Sequence, residues 1–162
     1  MLQRLTIASI LLAALAAAST TASAQALEKK HFNYSEWTKG RFSEAVTVTG
    51  PGKWIFLAGV GAEDENGKGG DILHKGDFMG QCRYAYDKIK RLLDKQGATL
   101  GDVAKMVTYI TDARYQPDYG KCRVEAFGNN PLPAHTLINI SQLAWPGMMV
   151  EVDVTAVVPL RQ

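Results

Sequence analysis

The chain has 162 residues and carries 18 lysines and arginines against 16 aspartates and glutamates, a formal net charge of +2. This length favours one domain of ordinary size. The near balance of charge argues against nucleic acid as a partner, because nucleic acid binding draws most of its affinity from a strongly basic surface.

The first 24 residues have the pattern of a signal peptide. Arg4 supplies a positive charge, residues 5–18 form an unbroken small and apolar run, and the small residues 22–24 fit a cleavage site. The apolar run is too short to favour a membrane span, which needs about 20 residues. We therefore expect cleavage after residue 24, a periplasmic or secreted destination, and no membrane association of the mature chain.

Beyond this leader, hydrophobic periodicity and turn residues predict a succession of strands and helices. A polar lead-in, 25–40, comes first, and 41–162 is the predicted domain. The Gly-rich stretch 63–70 is predicted to be a hairpin-like turn, because the ligand spacing of a calcium loop is missing. The predicted elements are strands 43–49 and 54–60, helix 77–96, strand 103–111, helix 118–127, and strands 135–140 and 148–158.

The order β-β-α-β-α-β-β is typical of an α+β sandwich with one mixed sheet. Right-handed crossovers place both helices on the same face of that sheet. The strands are nevertheless apolar on both faces, since Trp54 and Phe56 alternate with Ile55 and Leu57. An apolar face that no predicted helix covers indicates association with other copies of the chain.

Several segments together resemble the RidA/YjgF family of reactive-intermediate deaminases over nearly the whole mature chain. Segment 41–46 is similar to the family's Pro-Tyr-Ser-Gln-Ala-Val opening, and 133–135 to the Pro-Ala-Arg that begins a late strand. The other similar segments are 57–59, 97–103, 108–112 and the Val-Glu-Val triplet 150–152. The resemblance implies a chorismate-mutase-like fold and a homotrimer with ligand clefts between subunits.

The resemblance also implies hydrolysis of imines or enamines to a carbonyl compound and ammonia, and we expect no cofactor. A metal site is not expected either, because His135 and Glu151 lack an obvious third ligand, His31 and His74 lying in unrelated segments. In the family an arginine grips the substrate carboxylate and a glutamate activates water, roles that suit both side chains. Glu151 matches the catalytic acid, and Leu137 matches a main-chain ligand contact. His135 replaces the arginine and Phe42 an aromatic hydroxyl, so we expect a more apolar cleft in which both contact the ligand.

The presence of His135 in place of the family's arginine is compatible with several functions. A mostly neutral imidazole is a poor clamp for a carboxylate, so the sequence predicts weak turnover of the alanine-derived 2-iminopropionate and a gain from His135→Arg. One hypothesis is an exported hydrolase of small imines, and the alternative is a non-catalytic trimeric binder of a small apolar or aromatic ligand. A third is a structural protein that uses the scaffold alone. For His135 itself, the alternative to ligand contact is a packed interface residue.

The chain has two cysteines, Cys82 and Cys122, each on the apolar stripe of a predicted helix and near its first turn. The two helices are expected to run parallel, which would place these turns at the same end. A disulfide then requires Cα atoms within roughly 7 Å, and an exported protein matures where disulfides persist. The alternative is two buried free thiols that pack as small hydrophobic side chains.

Overall fold

The computed structural model describes residues 25–160, and the predicted signal peptide lies outside them. None of the helices within this range is long and apolar enough to cross a membrane. The strands and α-helices of this range follow the order β-β-β-α-β-α-β-β. They are β1 (Glu28–Phe32), β2 (Ala45–Thr49), β3 (Gly52–Phe56), α1 (Phe78–Lys95), β4 (Val103–Ile110), α2 (Gln116–Phe127), β5 (Ala134–Asn139) and β6 (Val150–Pro159).

The main sheet has the strand order β3-β6-β4-β5. β4 runs parallel to β5 and antiparallel to β6, which is in turn antiparallel to β3. β1 and β2 form a separate antiparallel pair, and Ser43, just before β2, bridges to Ala134 at the start of β5. The predicted α+β architecture with a mixed sheet is confirmed, and β1 is an additional strand inside the polar lead-in.

Local sequence explains where α2 begins and ends. The helix starts at Gln116, two residues before the predicted Asp118, with Pro117 in its first turn. Proline is tolerated there because the first amides of a helix have no partner within it. The helix ends at Phe127, where the next residue, Gly128, has a φ of +55° that glycine adopts without strain.

The core lies between the two helices and one face of the main sheet. α1 starts where the sequence predicts, since Oδ1 of Asp77 accepts a hydrogen bond from the Gly80 amide at 2.9 Å. Helical spacing on α1 and alternation along β4 and β6 bring apolar side chains together. The buried core includes Tyr86, Ile89, Leu93, Met106, Ile110, Tyr119, Phe127, Val150, Val152 and Val154.

A disulfide joins the two helices within this core. Cys82 of α1 and Cys122 of α2 have an S–S distance of 2.08 Å and a Cα–Cα distance of 6.4 Å. Both residues are buried. The bond ties α2 to α1 and therefore fixes the part of the fold that α2 contributes to the candidate site.

The opposite face of the main sheet, here called the outer face, lies away from this core. It consists of alternate residues of β3, β4 and β6, namely Trp54, Phe56, Val107, Tyr109, Glu151 and Asp153. Trp54 is 49% exposed and Phe56 is 74% exposed. Large apolar side chains grouped on one exposed face are typical of an interface.

A bulge ends β3 earlier than the predicted strand. Phe56 pairs with Thr155, whereas Val60 pairs with Val152. The β3 side of this stretch therefore has one more residue than the β6 side, which interrupts the regular pairing. The bulge places Gly59 against a side chain of the outer face.

Candidate functional site

The two residues expected to act on a ligand lie on opposite faces of the main sheet. His135 of β5 is paired with Met106 of β4, and Glu151 of β6 is paired with Tyr109. Side chains alternate along a strand, so Met106 belongs to the core face and Tyr109 to the outer face. Leu137 lies on the same side as His135. A single copy of the chain therefore does not bring His135 and Glu151 to one ligand.

Glu151 is half-buried on the outer face, where the backbone leaves room for its carboxyl group. A Cβ atom on Gly59 would overlap Oε1 of Glu151, so this close approach requires glycine. Burial, followed by the nearby charges of Glu63 and Asp153, raises the Glu151 pKa above its ordinary 4.5. A carboxyl group with a raised pKa is suited to proton exchange with water near neutral pH.

The two neighbouring acids have partners of their own. Nζ of Lys88 lies 3.2 Å from Oε2 of Glu63. The Tyr109 hydroxyl donates to Oδ2 of Asp153 at 3.4 Å, and the charge of that carboxylate raises the Tyr109 pKa. Within residues 25–160, the Glu151 carboxyl group makes no such ion pair. It is the acid of this group that is available to water or a ligand.

A pocket of about 780 Å³ opens on the other side of the sheet, next to His135. Its volume is in the range of small-molecule sites. All three residues expected to contact a ligand, Phe42, His135 and Leu137, line it, whereas Glu151 does not. The remaining walls include the apolar side chains of Trp37, Pro117 and Val124 and the cationic side chains of Arg41, Lys121 and Arg123.

The polar lead-in and the residues after it build one wall of this pocket. Nδ2 of Asn33 donates to the Phe42 carbonyl at 2.7 Å, and Oε2 of Glu44 accepts from the Ser35 amide at 2.7 Å. These bonds close the segment into a loop. The loop presents the rings of Trp37 and Phe42 edge to face, 5.6 Å apart between centroids.

Both ring nitrogens of His135 are engaged inside the protein. Nδ1 accepts a hydrogen bond from Nη1 of Arg123 at 2.8 Å, since a guanidinium only donates. Nε2 therefore carries the proton, and it lies 3.1 Å from Oγ1 of Thr108 and 3.2 Å from the hydroxyl of Tyr119. Burial, then the charges of Arg123 and Lys105, lowers the His135 pKa from 6.5 to about 3. His135 is thus a neutral residue at pH 7.

Arg123 lines this pocket but was not singled out from the sequence. The residue is almost fully buried, at 6% exposure, and its Cζ lies 5.4 Å from the centroid of the Tyr119 ring. Its buried Nε has no hydrogen-bond partner in the described chain. The spacing of residues in the sequence could have identified this arginine. Arg123 follows Tyr119 by four residues and therefore lies on the same, buried face of α2.

The neutral state of His135 predicts a pH dependence of stability. Its pKa is about 3 in the folded protein and near 6.5 when no environment perturbs it. Between these values the unfolded chain binds a proton that the folded chain does not. The free energy of unfolding therefore falls as the pH drops through this window, by up to about 1.4 kcal/mol per pH unit, and this group adds no slope above it.

We expect His135→Asn to lose most of this pH dependence of the free energy of unfolding. The amide oxygen of asparagine can replace Nδ1 as the hydrogen-bond acceptor, but asparagine does not titrate. Urea unfolding at fixed protein concentration, between about pH 5 and pH 6.5, measures the slope. His74→Asn is the matched control, since it removes an exposed histidine whose φ of 52° asparagine tolerates. Equal slopes in the native protein and His135→Asn would contradict a neutral, partly buried His135.

Known proteins share sequence with most of this chain. The family model described as Endoribonuclease L-PSP matches residues 35–158. A RutC family protein of Pyrococcus abyssi is 30% identical over 118 residues, which are 72% of this chain and 86% of that protein. The 3-aminoacrylate deaminase RutC of Acinetobacter baylyi is 26% identical over 117 residues, 72% of this chain and 89% of that protein.

The fold recurs in solved structures. The crystal structure of YyfB, a protein of the conserved Rid family from Yersinia pestis, has a TM-score of 0.68 and 23% identity, and the match covers 80% of this chain and 98% of that one. β1 precedes the region matched by the family model and is an addition to it. From the extent of the family match and the identity of its relatives, the chain belongs to the Endoribonuclease L-PSP family, that is, to the RidA/YjgF family that its motifs resemble.

Proposed function

We propose that this protein hydrolyses small imines or enamines to a carbonyl compound and ammonia, with Glu151 activating water in a cleft between copies of the chain. The observation that carries the proposal is the half-buried carboxyl group of Glu151, which forms no ion pair within residues 25–160 and lies against Gly59 at the position of the family's catalytic acid. The Acinetobacter relative is named for 3-aminoacrylate, an enamine that bears a carboxylate. That name supports the reaction class.

The reaction requires one carboxylate that passes a proton between water and nitrogen. Glu151 takes a proton from water as the water oxygen adds to the C=N carbon, and the imine nitrogen takes a proton from solvent. The resulting carbinolamine then collapses. The proton held by Glu151 goes to nitrogen, ammonia leaves, and the hydroxyl group gives its proton to solvent as C=O forms. An enamine enters this sequence after a proton is added to its carbon.

The proposed cleft combines the outer face of one copy with the pocket of another. Glu151 and the pocket lie on opposite faces of the sheet, so a second copy is needed to bring them together. The exposed rings of Trp54 and Phe56 on the outer face supply apolar area for such a contact. We propose a homotrimer, which is the assembly implied by the family motifs.

Light scattering at micromolar concentration is expected to give the mass of a trimer. Phe56→Asp is expected to shift the protein toward the monomer, because it would bury a carboxylate at an apolar contact. Tyr34→Ser is the control, since it removes a ring that is 86% exposed and lies on the lead-in rather than the outer face. A monodisperse native monomer would exclude the trimer.

We also propose that the protein is exported after cleavage of residues 1–24. The disulfide between Cys82 and Cys122 supports this proposal, because structural disulfides persist in oxidising compartments and are rare in the cytosol. The substrate would then be an imine or enamine formed outside the cytosol by an amine-oxidising reaction.

The proposed activity is tested by carbonyl release from imines that an amino-acid oxidase generates in situ. We expect the native protein to raise the rate of release above the spontaneous rate in the same buffer. No acceleration with any imine, charged or neutral, would rule out the hydrolase. It would leave the alternative, a non-catalytic trimeric binder of a small apolar or aromatic ligand, which the apolar walls of Trp37, Phe42 and Leu137 favour.

A further inference from the structure

We propose that Arg123 is the anion-binding residue of the pocket, that His135 positions it, and that the ligand is a small carboxylate with an apolar or aromatic body. This inference deepens the proposed function by naming its substrate class, and it rests on that function only where it treats the ligand as a substrate. The evidence for the binding site comes from the contacts of Arg123 and does not depend on catalysis.

The first step is the charge of Arg123. Arg123 as a whole is 6% exposed, and no carboxylate of residues 25–160 lies within 4.0 Å of its guanidinium. Glu125, the acid on the pocket wall, is instead bound to Arg83 through two hydrogen bonds of 3.0 and 3.3 Å. A buried charge is costly unless a counter-charge accompanies it. The site therefore favours an anion that enters from the pocket.

The second step is the rigidity of the guanidinium. Nη1 is held by Nδ1 of His135 at 2.8 Å, and the Tyr119 ring lies against the group at 5.4 Å. The hydroxyl of Tyr119 is itself fixed by Thr108 at 2.6 Å and Tyr86 at 2.9 Å. A guanidinium restrained in this way loses little entropy when it binds a carboxylate with its planar fork.

The third step is the unused donor. Nε of Arg123 is buried and has no partner in the described chain, although buried donors are almost always satisfied. His135 does not compete for an anion, because it is neutral and its protonated Nε2 faces Thr108 and Tyr119. The positive charge that the family places at the start of β5 is thus supplied here from α2.

The fourth step is the remainder of the pocket. Trp37, Phe42, Val124 and Leu137 line it together with Arg123. The volume of about 780 Å³ is far larger than a three-carbon imino acid requires. Aromatic walls with one restrained cation fit a carboxylate attached to an aromatic ring or a similar apolar group.

This assignment reverses the expectation for His135→Arg. From the sequence alone, an arginine at position 135 restores a missing clamp. In the structure, it would replace the acceptor of Arg123 with a second guanidinium at hydrogen-bond distance. Repulsion between like charges would displace Arg123, so we expect His135→Arg to bind carboxylates more weakly than the native protein.

The experiment compares 3-phenylpropionate with its neutral counterpart, 3-phenylpropionamide, by calorimetric titration of the assembled native protein. We expect the native protein to bind the carboxylate at least about tenfold more tightly, which is the usual contribution of a charge-assisted hydrogen bond. Arg123→Gln should abolish this preference, because its amide still donates to His135 but carries no charge. Arg123→Lys should recover part of it. Lys68→Gln is the matched control and should keep the preference, because it removes an exposed positive charge from the loop before α1, away from this pocket.

Several results would overturn the proposal. These are an unchanged carboxylate preference in folded Arg123→Gln, no binding of either probe by the native protein, or tighter binding of inorganic phosphate than of 3-phenylpropionate. The ratio of the affinities for 3-phenylpropionate and 3-phenylpropionamide distinguishes two roles of Arg123. If Arg123 were only structural, its replacement would weaken the binding of both probes equally and leave the ratio unchanged. A preference that Arg123→Gln removes stands even if no imine is hydrolysed, so failure of the proposed reaction remains distinguishable.

Discussion

Replacing Glu151 with glutamine is expected to lower kcat/KM for imine hydrolysis at least about a hundredfold, because a general base contributes roughly 10²–10⁴-fold. Glutamine keeps the size and hydrogen-bonding reach of the side chain but takes no proton from water. The native activity should fall as the pH drops through the Glu151 pKa, which burial raises above 4.5. This acid limb of the pH profile should disappear in Glu151→Gln.

Two further variants separate the role of Glu151 from that of its surroundings. Asp153→Asn changes an acid on the same face that already accepts a hydrogen bond from Tyr109, and we expect little loss of activity. Gly59→Ala adds a Cβ that overlaps Oε1 of Glu151, so it should lower kcat while both acids remain. Native rates in folded Glu151→Gln would remove the catalytic assignment.

Removal of the disulfide by the double substitution Cys82→Ala and Cys122→Ala is expected to lower the free energy of unfolding by about 2–4 kcal/mol. The bond links residues 40 apart in the chain, so it restricts the unfolded state, and the substitutions also remove sulfur atoms from a buried contact. Urea unfolding at fixed protein concentration measures the loss.

Reductant provides the internal control for this prediction. It should destabilise the native protein and have no effect on the double variant, since only the first contains a bond to reduce. The exported protein, denatured without reductant, should show no reactive thiol. Two reactive thiols per chain would contradict the disulfide.

The sequence predicts most of the fold because its patterns are local. The apolar stripe after Asp77 gives α1 within a residue at each end, and alternation along 103–111 and 148–158 gives β4 and β6. The observed ends of an element differ from the predicted ones where a feature other than hydrophobic periodicity sets them. Examples are Pro117 in the first turn of α2 and the bulge after Phe56. β1 was missed because Glu28–Phe32 is charged and exposed at alternate positions, with no apolar face to recognise.

The site was less predictable because its contacts depend on the register between strands and on helix packing. Sequence motifs give Glu151 and His135, but only the pairing of β4 with β5 and β6 places them on opposite faces. The importance of Arg123 depends on its approach to His135, 12 residues further along the chain. A motif read position by position shows a lost arginine, whereas the structure shows a guanidinium that reaches the same pocket from another element.

The separation of the pocket and Glu151 onto two faces of one sheet has an evolutionary consequence. Under the proposed function, changes in the loop after β1, in α2 or at the start of β5 would alter which molecule is held without disturbing the bulge and the glycine next to Glu151. Selection on ligand choice and selection on reactivity would then act on different residues. A lineage with this arrangement would acquire new ligands through substitutions in the pocket wall while the proposed catalytic carboxyl group stays in place.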